Sequence, residues 1–192
     1  MSQTSTVRSA GGQPISVKEM AFTAMMAAVI AICSWISVPI GEVPVTLQTF
    51  GVFCAVGLLG GKLGLFSVLV YVLLGAVGVP VFAGFTGGVG ILLGSTGGYI
   101  IGFIFIALIY WAAEALFGNK FNMVIGILAM AIGTAVCYTF GTAWFITVYS
   151  RKAEIDISTA LEWCVTPFLL PDCVKMAAAV LITYRLKKYV RL

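Results

Sequence analysis

The stretch LLGGKLG, residues 58–64, decides how many times this chain crosses a membrane. It joins two apolar segments, 46–60 and 63–79, each of which is short for a membrane-spanning helix. Paired glycines followed by a charged residue mark a tight turn. The stretch therefore predicts two short spans joined by a turn, in place of one long helix.

Composition fixes the class of protein. The 192 residues are 61% hydrophobic and only 9% charged, with a mean hydropathy of +1.10. A soluble domain carries about 25% charged residues, because polar groups must cover the surface that it leaves in water. The chain is therefore predicted to be an integral membrane protein with lipid as its solvent.

Apolar segments long enough to span a membrane recur along the chain. A spanning helix needs about 20 mostly apolar residues, within a range of about 17 to 25. The predicted segments are 17–37, 46–60, 63–79, 91–117, 122–149 and 172–190. We predict an all-α bundle of six transmembrane helices within a single domain, 17–192. Residues 1–16 are predicted to be a flexible cytoplasmic N-terminus without a cleaved signal.

The basic residues predict the orientation. Six spans put both termini on one side, and eight of the eleven basic residues fall there: Arg8, Lys18, Lys62, Lys120, Arg185, Lys187, Lys188 and Arg191. Arg151, Lys152 and Lys175 fall on the other side. The positive-inside rule then predicts cytoplasmic termini and a multi-pass protein of the cell membrane. Because the charges are dispersed, the net charge of +4 does not indicate nucleic-acid binding.

Features that the sequence lacks weigh against several classes of function. It has no histidine, and its five cysteines form no CxxC pair, so no metal site is predicted. The segment GGKLG, 60–64, has neither the spacing nor the hydroxyl of a phosphate-binding loop, so ATP hydrolysis is not expected. Without paired intramembrane carboxylates no catalytic residue is predicted, and no ring of repeated polar residues indicates a channel.

The long connections all fall on the predicted external face. They cover 38–45, roughly 80–90 and 150–171, and they combine prolines or glycines with polar groups. Long connections in compact proteins tend to be functional. A binding site open to the outside is therefore favoured over a purely tethering role.

The segment 73–103 is rich in glycine. Four of its glycines lie four residues apart and predict a helix-packing ridge on the fourth span: Gly90, Gly94, Gly98 and Gly102. Earlier glycines predict a bent loop that a ligand can approach at backbone distance: Gly84, Gly87 and Gly88. The predicted aromatic walls are Phe82, Phe85 and Tyr99.

Two further stretches carry candidate binding groups. In PFLLPDCVK, 167–175, Asp172 and Lys175 lie three apart and share a helix face. Asp172 could cap the sixth helix while Lys175 extends to the interface, or both could mark a substrate site inside the bundle. In VPVTLQTFG, 43–51, Thr46 is compatible with a plain helix start, whereas the Gln48 amide needs a partner.

The first segment carries two overlapping pairs of alanines, Ala24 with Ala28 and Ala27 with Ala31. Small residues four apart let two membrane helices approach closely. The face is predicted to dock a helix, either within the chain or in a separate subunit.

Four quoted segments resemble one family: VPVTLQTFG, LGAVGVPVFAG, LLGSTGGYIIGF and PFLLPDCVK are similar to signature segments of BioY, the biotin-binding S component of energy-coupling factor (ECF) transporters. The resemblance covers roughly 40–110 and 160–180. It implies a bundle of six helices in a plasma membrane of prokaryotic type. This bundle is expected to bind biotin from the outside. It also implies a coupling protein docked on the alanines of the first helix, with ATP used by two ATPase subunits and no cofactor in this chain. Some members are proposed to act without those partners.

The sequence departs from the family pattern at two places. Ser95 stands where the family usually has proline, and Leu170-Pro171-Asp172 stands where it usually has Pro-Gly-Asp. These departures affect the expected loop geometry and leave Asp172 and Lys175 in place.

The resemblance implies roles for particular residues. Biotin has a ureido ring with two N–H donors and one carbonyl, an apolar thiophane ring and an anionic tail. Asp172 is assigned to a ureido N–H, Gln48 to the ring or the tail, and Lys175 to the carbonyl or the carboxylate. Other residues are expected to line the site: Thr46, Phe82, Phe85, Gly87, Gly88 and Tyr99. Arg151 and Lys152 are alternative carboxylate partners, and the alternative functions are an S component for another vitamin or a stand-alone transporter or channel.

Overall fold

A computed structural model describes residues 16–38, 43–151 and 155–189. Residues 1–15 of the predicted N-terminal tail, 1–16, lie outside these residues, as do Lys152 and Arg191. The described helices are α1 (Val17–Trp35), α2 (Gln48–Ala76), α3 (Val89–Leu92), α4 (Gly97–Phe117), α5 (Met123–Tyr149), α6 (Ile157–Cys164) and α7 (Thr166–Leu186). Strands β1 (Ser37–Val38) and β2 (Val45–Thr46) pair antiparallel, and Ala83–Phe85 and Gly118–Lys120 form single 3₁₀ turns.

The chain reverses at Gly60, inside α2. Gly60 has φ 81° and ψ 171°, which no helix allows. A Cβ added to Gly64 would lie 2.8 Å from the Cα of Val56, although residues eight apart in a continuous helix are about 12 Å apart along its axis. The element is thus a helical hairpin with arms α2a (48–59) and α2b (61–76), as the glycine pair predicted.

The hairpin reconciles the structure with the predicted number of spans. Among the described residues, five helical stretches are long and apolar enough to cross a membrane, and α2 counts as one of them. Counting α2a and α2b separately gives six apolar segments, the predicted number. α1 and α5 begin within one residue of their predicted starts, because the Ser16 and Asn122 side chains cap them by accepting from the Glu19 and Ile125 N–H groups. α1 ends at Trp35, two residues before its predicted end at 37.

The predicted segment 91–117 is wrong at its start. Leu93–Thr96 breaks the helix, so Gly90 lies on α3, Gly94 lies in the break, and the four-glycine ridge does not form. Trp144 of α5 stabilises the break by donating from Nε1 to the Gly94 carbonyl at 3.0 Å. Gly98 and Gly102 do form a close α4–α5 contact: added Cβ atoms would lie 2.6 Å from Trp144 Cγ and 2.5 Å from Cys137 Sγ.

The sixth span begins earlier than predicted. α6 occupies part of the expected loop 150–171, and α7 starts at Thr166 and continues through Pro171. Asp172 therefore lies inside α7, and the interpretation of Asp172 as a helix cap is wrong. The carboxylate has to serve another purpose.

The α2 hairpin is the centre of the bundle. Its most apolar window is 78% buried, whereas the windows of the other spans are 22% to 39% buried. α1, α4 and α7 pack against α2, and α5 packs against α4. Because α5 and α7 make few contacts with each other, a trough remains between them, and α2a and α4 line its floor.

Candidate ligand-binding cavity

A cavity occupies the end of this trough next to β2. Its empty volume is about 920 Å³, which includes the open solvent at its mouth. The apolar part of the lining includes Phe82, Ile91, Ile100, Phe103, Ile106 and Phe168. The polar part includes Thr46, Gln48, Thr49, Thr96, Tyr99, Thr134, Tyr138, Asp172 and Lys175.

Asp172 joins three helices at the polar side of the cavity. It is 3% exposed, and its Oδ1 accepts from Thr49 Oγ1 at 2.8 Å and from Lys175 Nζ at 2.7 Å. Its Oδ2 accepts from the Tyr138 hydroxyl at 2.6 Å. A carboxylate has about four lone-pair sites, so Asp172 can accept one further N–H donor from the cavity.

Lys175 lies one helical turn after Asp172, on the same face of α7. It is 8% exposed, and Nζ donates to Asp172 and, at 3.3 Å, to Thr49 Oγ1. An ammonium has three N–H donors, so one remains for a ligand acceptor. Because the two buried charges pair with each other, this side of the cavity is polar and has no net charge.

Gln48 is held rigidly at the first turn of α2a. It is 6% exposed, its Nε2 donates to the hydroxyl of the fully buried Tyr71, and its Oε1 accepts from Thr46 Oγ1 at 3.1 Å. Thr46 also accepts from the Gln48 backbone N–H at 3.2 Å. The partner that the sequence predicted for this amide is therefore Tyr71, on α2b.

The structure brings six of the nine predicted binding residues to this cavity: Thr46, Gln48, Phe82, Tyr99, Asp172 and Lys175. Phe82 is 1% exposed, and the Tyr99 hydroxyl lies 2.9 Å from Thr142 Oγ1. Both rings therefore have fixed positions in the wall.

Phe85, Gly87 and Gly88 do not line the cavity. Phe85 is 64% exposed and stacks on Trp35 with ring centroids 4.9 Å apart. Gly88 N–H donates to the Gly75 carbonyl at 2.6 Å, and a Cβ on Gly87 would lie 2.9 Å from the Val79 carbonyl carbon. These glycines pack their loop on the end of α2b instead of approaching a ligand.

Sequence reasoning missed several cavity residues, above all Thr49, Thr134 and Tyr138. Thr134, Tyr138 and Thr142 are spaced four residues apart on the largely apolar α5, so they share one helix face. That spacing is the signal that could have identified Tyr138.

The predicted docking alanines divide into two pairs. Ala24 and Ala28 are exposed. Ala27 and Ala31 are 2% and 6% exposed and belong to the core of the chain, so they cannot contact a separate subunit. The two overlapping pairs therefore lie on different faces of α1.

Two other expectations concern charged groups. Arg151 is exposed and does not line the cavity. Among the described residues, no three His, Cys, Asp or Glu side chains come close enough together to hold a metal ion.

Comparison with known families accounts for this architecture. A family profile described as BioY family matches residues 3–192, nearly the whole chain. The chain belongs to the BioY family. BioY proteins are transport proteins and not enzymes.

Relatives of known name agree with the BioY assignment. A protein of Pyrococcus horikoshii named "Probable biotin transporter BioY" is 40% identical over 173 residues, which is 90% of this chain and 98% of the relative. The "Biotin transporter BioY" of Thermotoga maritima is 38% identical over 173 residues, 90% of this chain and 97% of the relative.

A solved BioY-type structure also matches. It is the crystal structure of the S-component for biotin from an ECF-type ABC transporter, with a TM-score of 0.77 and 32% identity over 90% of this chain and 92% of that one. The fold is thus that of an ECF S component. The two departures from the BioY pattern lie beside the cavity, since Ser95 precedes Thr96 and Pro171 precedes Asp172.

Proposed function

We propose that this chain is the high-affinity biotin-binding S component of an ATP-driven ECF-type uptake transporter. The proposal rests mainly on the buried Asp172–Lys175 pair. The two charges neutralise each other, and the rest of the cavity is largely apolar. The names of the relatives, which are biotin transporters, support the same ligand.

The pair matches the ureido ring of biotin. That ring carries N–H donors next to a carbonyl acceptor, and the pair offers a carboxylate oxygen 2.7 Å from an ammonium nitrogen. Asp172 would accept a ureido N–H while Lys175 donates to the ureido carbonyl. Phe82, Tyr99 and Phe168 would pack against the apolar thiophane ring.

The charge balance of the pair supports an orientation for the ligand. Because Lys175 is already neutralised by Asp172, the pair has no net attraction for an anion. The anionic tail of biotin therefore points away from the pair, toward the segment of Val43 and Pro44. Gln48, whose amide is held by Tyr71 and Thr46, contacts the ligand between the pair and that segment.

Transport requires energy from other subunits. The sequence has no phosphate-binding loop, so ATP hydrolysis is assigned to partner ATPases joined through a membrane coupling protein. The exposed Ala24–Ala28 face of α1 is the surface proposed for that coupling protein.

A panel of biotin analogues tests the ligand and its orientation. Purified protein without ATP should bind biotin saturably. Its affinity for the uncharged biotin amide should be within about tenfold of its affinity for biotin. At neutral pH it should bind 2-iminobiotin at least about 100-fold more weakly, because the cyclic guanidine of this analogue is protonated and puts cationic N–H donors where the carbonyl acceptor of biotin would meet Lys175. Tight binding of thiamin or riboflavin instead of biotin would refute the assignment. If the protein failed to bind the amide but still bound 2-iminobiotin, the ligand would lie in the opposite orientation in the cavity.

A further inference from the structure

A second cavity lies at the opposite end of the α5–α7 trough. Its empty volume is about 650 Å³. Its rim includes the exposed side chains of Asn122, Met123 and Lys187, and its floor includes the buried Tyr110 and Met130. Met130 is one helical turn from Thr134 of the first cavity, so the two cavities lie one behind the other along the same trough.

The Tyr110 hydroxyl is open to this cavity and makes no hydrogen bond to a described residue, although the residue as a whole is buried. Tyr110 is 4% exposed and its ring packs edge-on against Phe121. The hydroxyl faces the cavity next to Gly126, where an added Cβ would lie 3.3 Å away. Buried tyrosine hydroxyls usually have a hydrogen-bond partner, so this one is available to an acceptor inside the cavity.

The cavity becomes less polar with depth. Lys187 is at the rim, the Tyr110 hydroxyl lies about one turn deeper at the level of Gly126, and Ile127, Met130 and Val180 line the interior. Met130 is seven residues beyond Met123, about 10 Å along the axis of α5. A ligand that fits must have an anionic end, an acceptor about one turn below it, and an apolar tail.

The charge around the rim is positive. Among the described residues, the cations at this end of the bundle are Lys18, Lys62, Lys120, Arg185, Lys187 and Lys188, and the carboxylates are Glu19 and Glu114. Glu114 accepts from the Gly61 N–H at 2.6 Å, and its charge also acts on Lys187 and Tyr110, so six cations face two carboxylates here. Cations at the end of membrane helices attract anionic lipid headgroups.

We propose that this inner cavity binds one anionic phospholipid of the cytoplasmic leaflet. Lys187 holds the phosphate, the Tyr110 hydroxyl donates to an ester carbonyl, and one acyl chain extends over Ile127, Met130 and Val180. The bound chain fills the gap between α5 and α7 at this end of the trough. This site is distinct from the proposed biotin site and does not depend on it.

Lipid retention measured by native mass spectrometry tests the proposal. The protein is purified with equal amounts of phosphatidylglycerol and phosphatidylcholine, and retained lipids are counted. The wild-type protein should retain one phosphatidylglycerol molecule in preference to phosphatidylcholine. Lys187→Gln and Tyr110→Phe should each lower its occupancy by about 3- to 10-fold, since each removes one hydrogen bond. Gly126→Leu should abolish retention of both lipids by filling the cavity.

Lys188→Gln is the matched control. It removes the same charge one residue away, but Lys188 lies over the Tyr189 ring, 4.8 Å from its centroid, and does not line the cavity. Its lipid retention should equal that of wild type, and the melting temperature of every variant verifies folding. The proposal would be overturned if Lys187→Gln and Lys188→Gln lowered phosphatidylglycerol retention equally. It would also be overturned if the wild-type protein retained the two lipids equally or retained no lipid. If Gly126→Leu fails to fold, the two hydrogen-bond variants decide.

Discussion

Asp172 and Lys175 are buried charges, and the stability of the fold does not require them. A buried ion pair is usually no more stabilising than apolar residues of similar size, because both ions lose their hydration. Here the pair is retained inside a cavity and is supported by Thr49 and Tyr138. We infer that ligand recognition, and not folding, accounts for these charges.

Tyr138 is expected to position Asp172. Its hydroxyl donates to Asp172 Oδ2 at 2.6 Å, and Tyr138→Phe removes that bond while preserving the ring. Biotin affinity should fall by about 3- to 10-fold, the usual range for one hydrogen bond, as measured by equilibrium binding of radiolabelled biotin.

Tyr149→Phe on the same helix is the control, because Tyr149 does not line the cavity and stacks on Phe145. Its affinity should remain at the wild-type value. Equal affinities for the Tyr138 variant and wild type would remove Tyr138 from the site.

The residues that sequence reasoning placed correctly in the cavity share a physical reason. Gln48, Asp172 and Lys175 are polar groups within apolar segments, and such groups must face the interior of the bundle to find partners. Phe85 is different, because an aromatic ring in a loop can turn toward several neighbours. Its direction is set by stacking on Trp35, which is far away in sequence.

At the scale of the element, the α2 hairpin depends on backbone contact with α4. A Cβ on Gly61 would lie 2.5 Å from the backbone nitrogen of Trp111, which cannot move independently of its helix. Gly61→Ala should therefore destabilise the protein by roughly 1–3 kcal/mol, the usual cost of overpacking. A lower melting temperature in detergent would report this loss.

Gly90→Ala is the corresponding control, because nothing lies within 4 Å of the position of its added Cβ. Its melting temperature should equal that of wild type. If both alanine variants melted alike, the hairpin would not rest on this contact.

The turns of the chain carry sequence signals of unequal clarity. Gly60-Gly61-Lys62 predicts the hairpin turn. The break at Leu93–Thr96 also carries a signal, because Gly94-Ser95-Thr96-Gly97-Gly98 is a run of residue types that mark loops, but the four-residue spacing of the glycines favours a helix ridge instead. The predicted sixth span begins just after Pro171, yet membrane helices tolerate proline when neighbouring groups satisfy the freed carbonyl.

For the whole molecule, α1 has one face buried in the core, and its exposed Ala24–Ala28 face is the one proposed for the coupling protein. Ala28 is exposed, so Ala28→Trp should keep the fold and biotin affinity but prevent association with the coupling protein. Co-purification of the ATPase subunits from native membranes measures that association.

Ala27→Trp provides the contrast. Ala27 is 2% exposed, so a tryptophan there overpacks the core and should lower the melting temperature and biotin binding together. Normal co-purification of the Ala28→Trp protein would show that the partner binds elsewhere.

The cavity around Asp172 is the proposed biotin site, and a biotin titration of Asp172→Asn decides whether it is. Asn removes the carboxylate charge that pairs with Lys175, so the affinity should fall by about 10- to 100-fold, as expected for a hydrogen bond to a charged group. Asp156→Asn is the control, because Asp156 caps α6 away from the cavity and asparagine caps helices equally well. An Asp172→Asn protein that binds biotin as tightly as wild type and the control would show that biotin binds elsewhere.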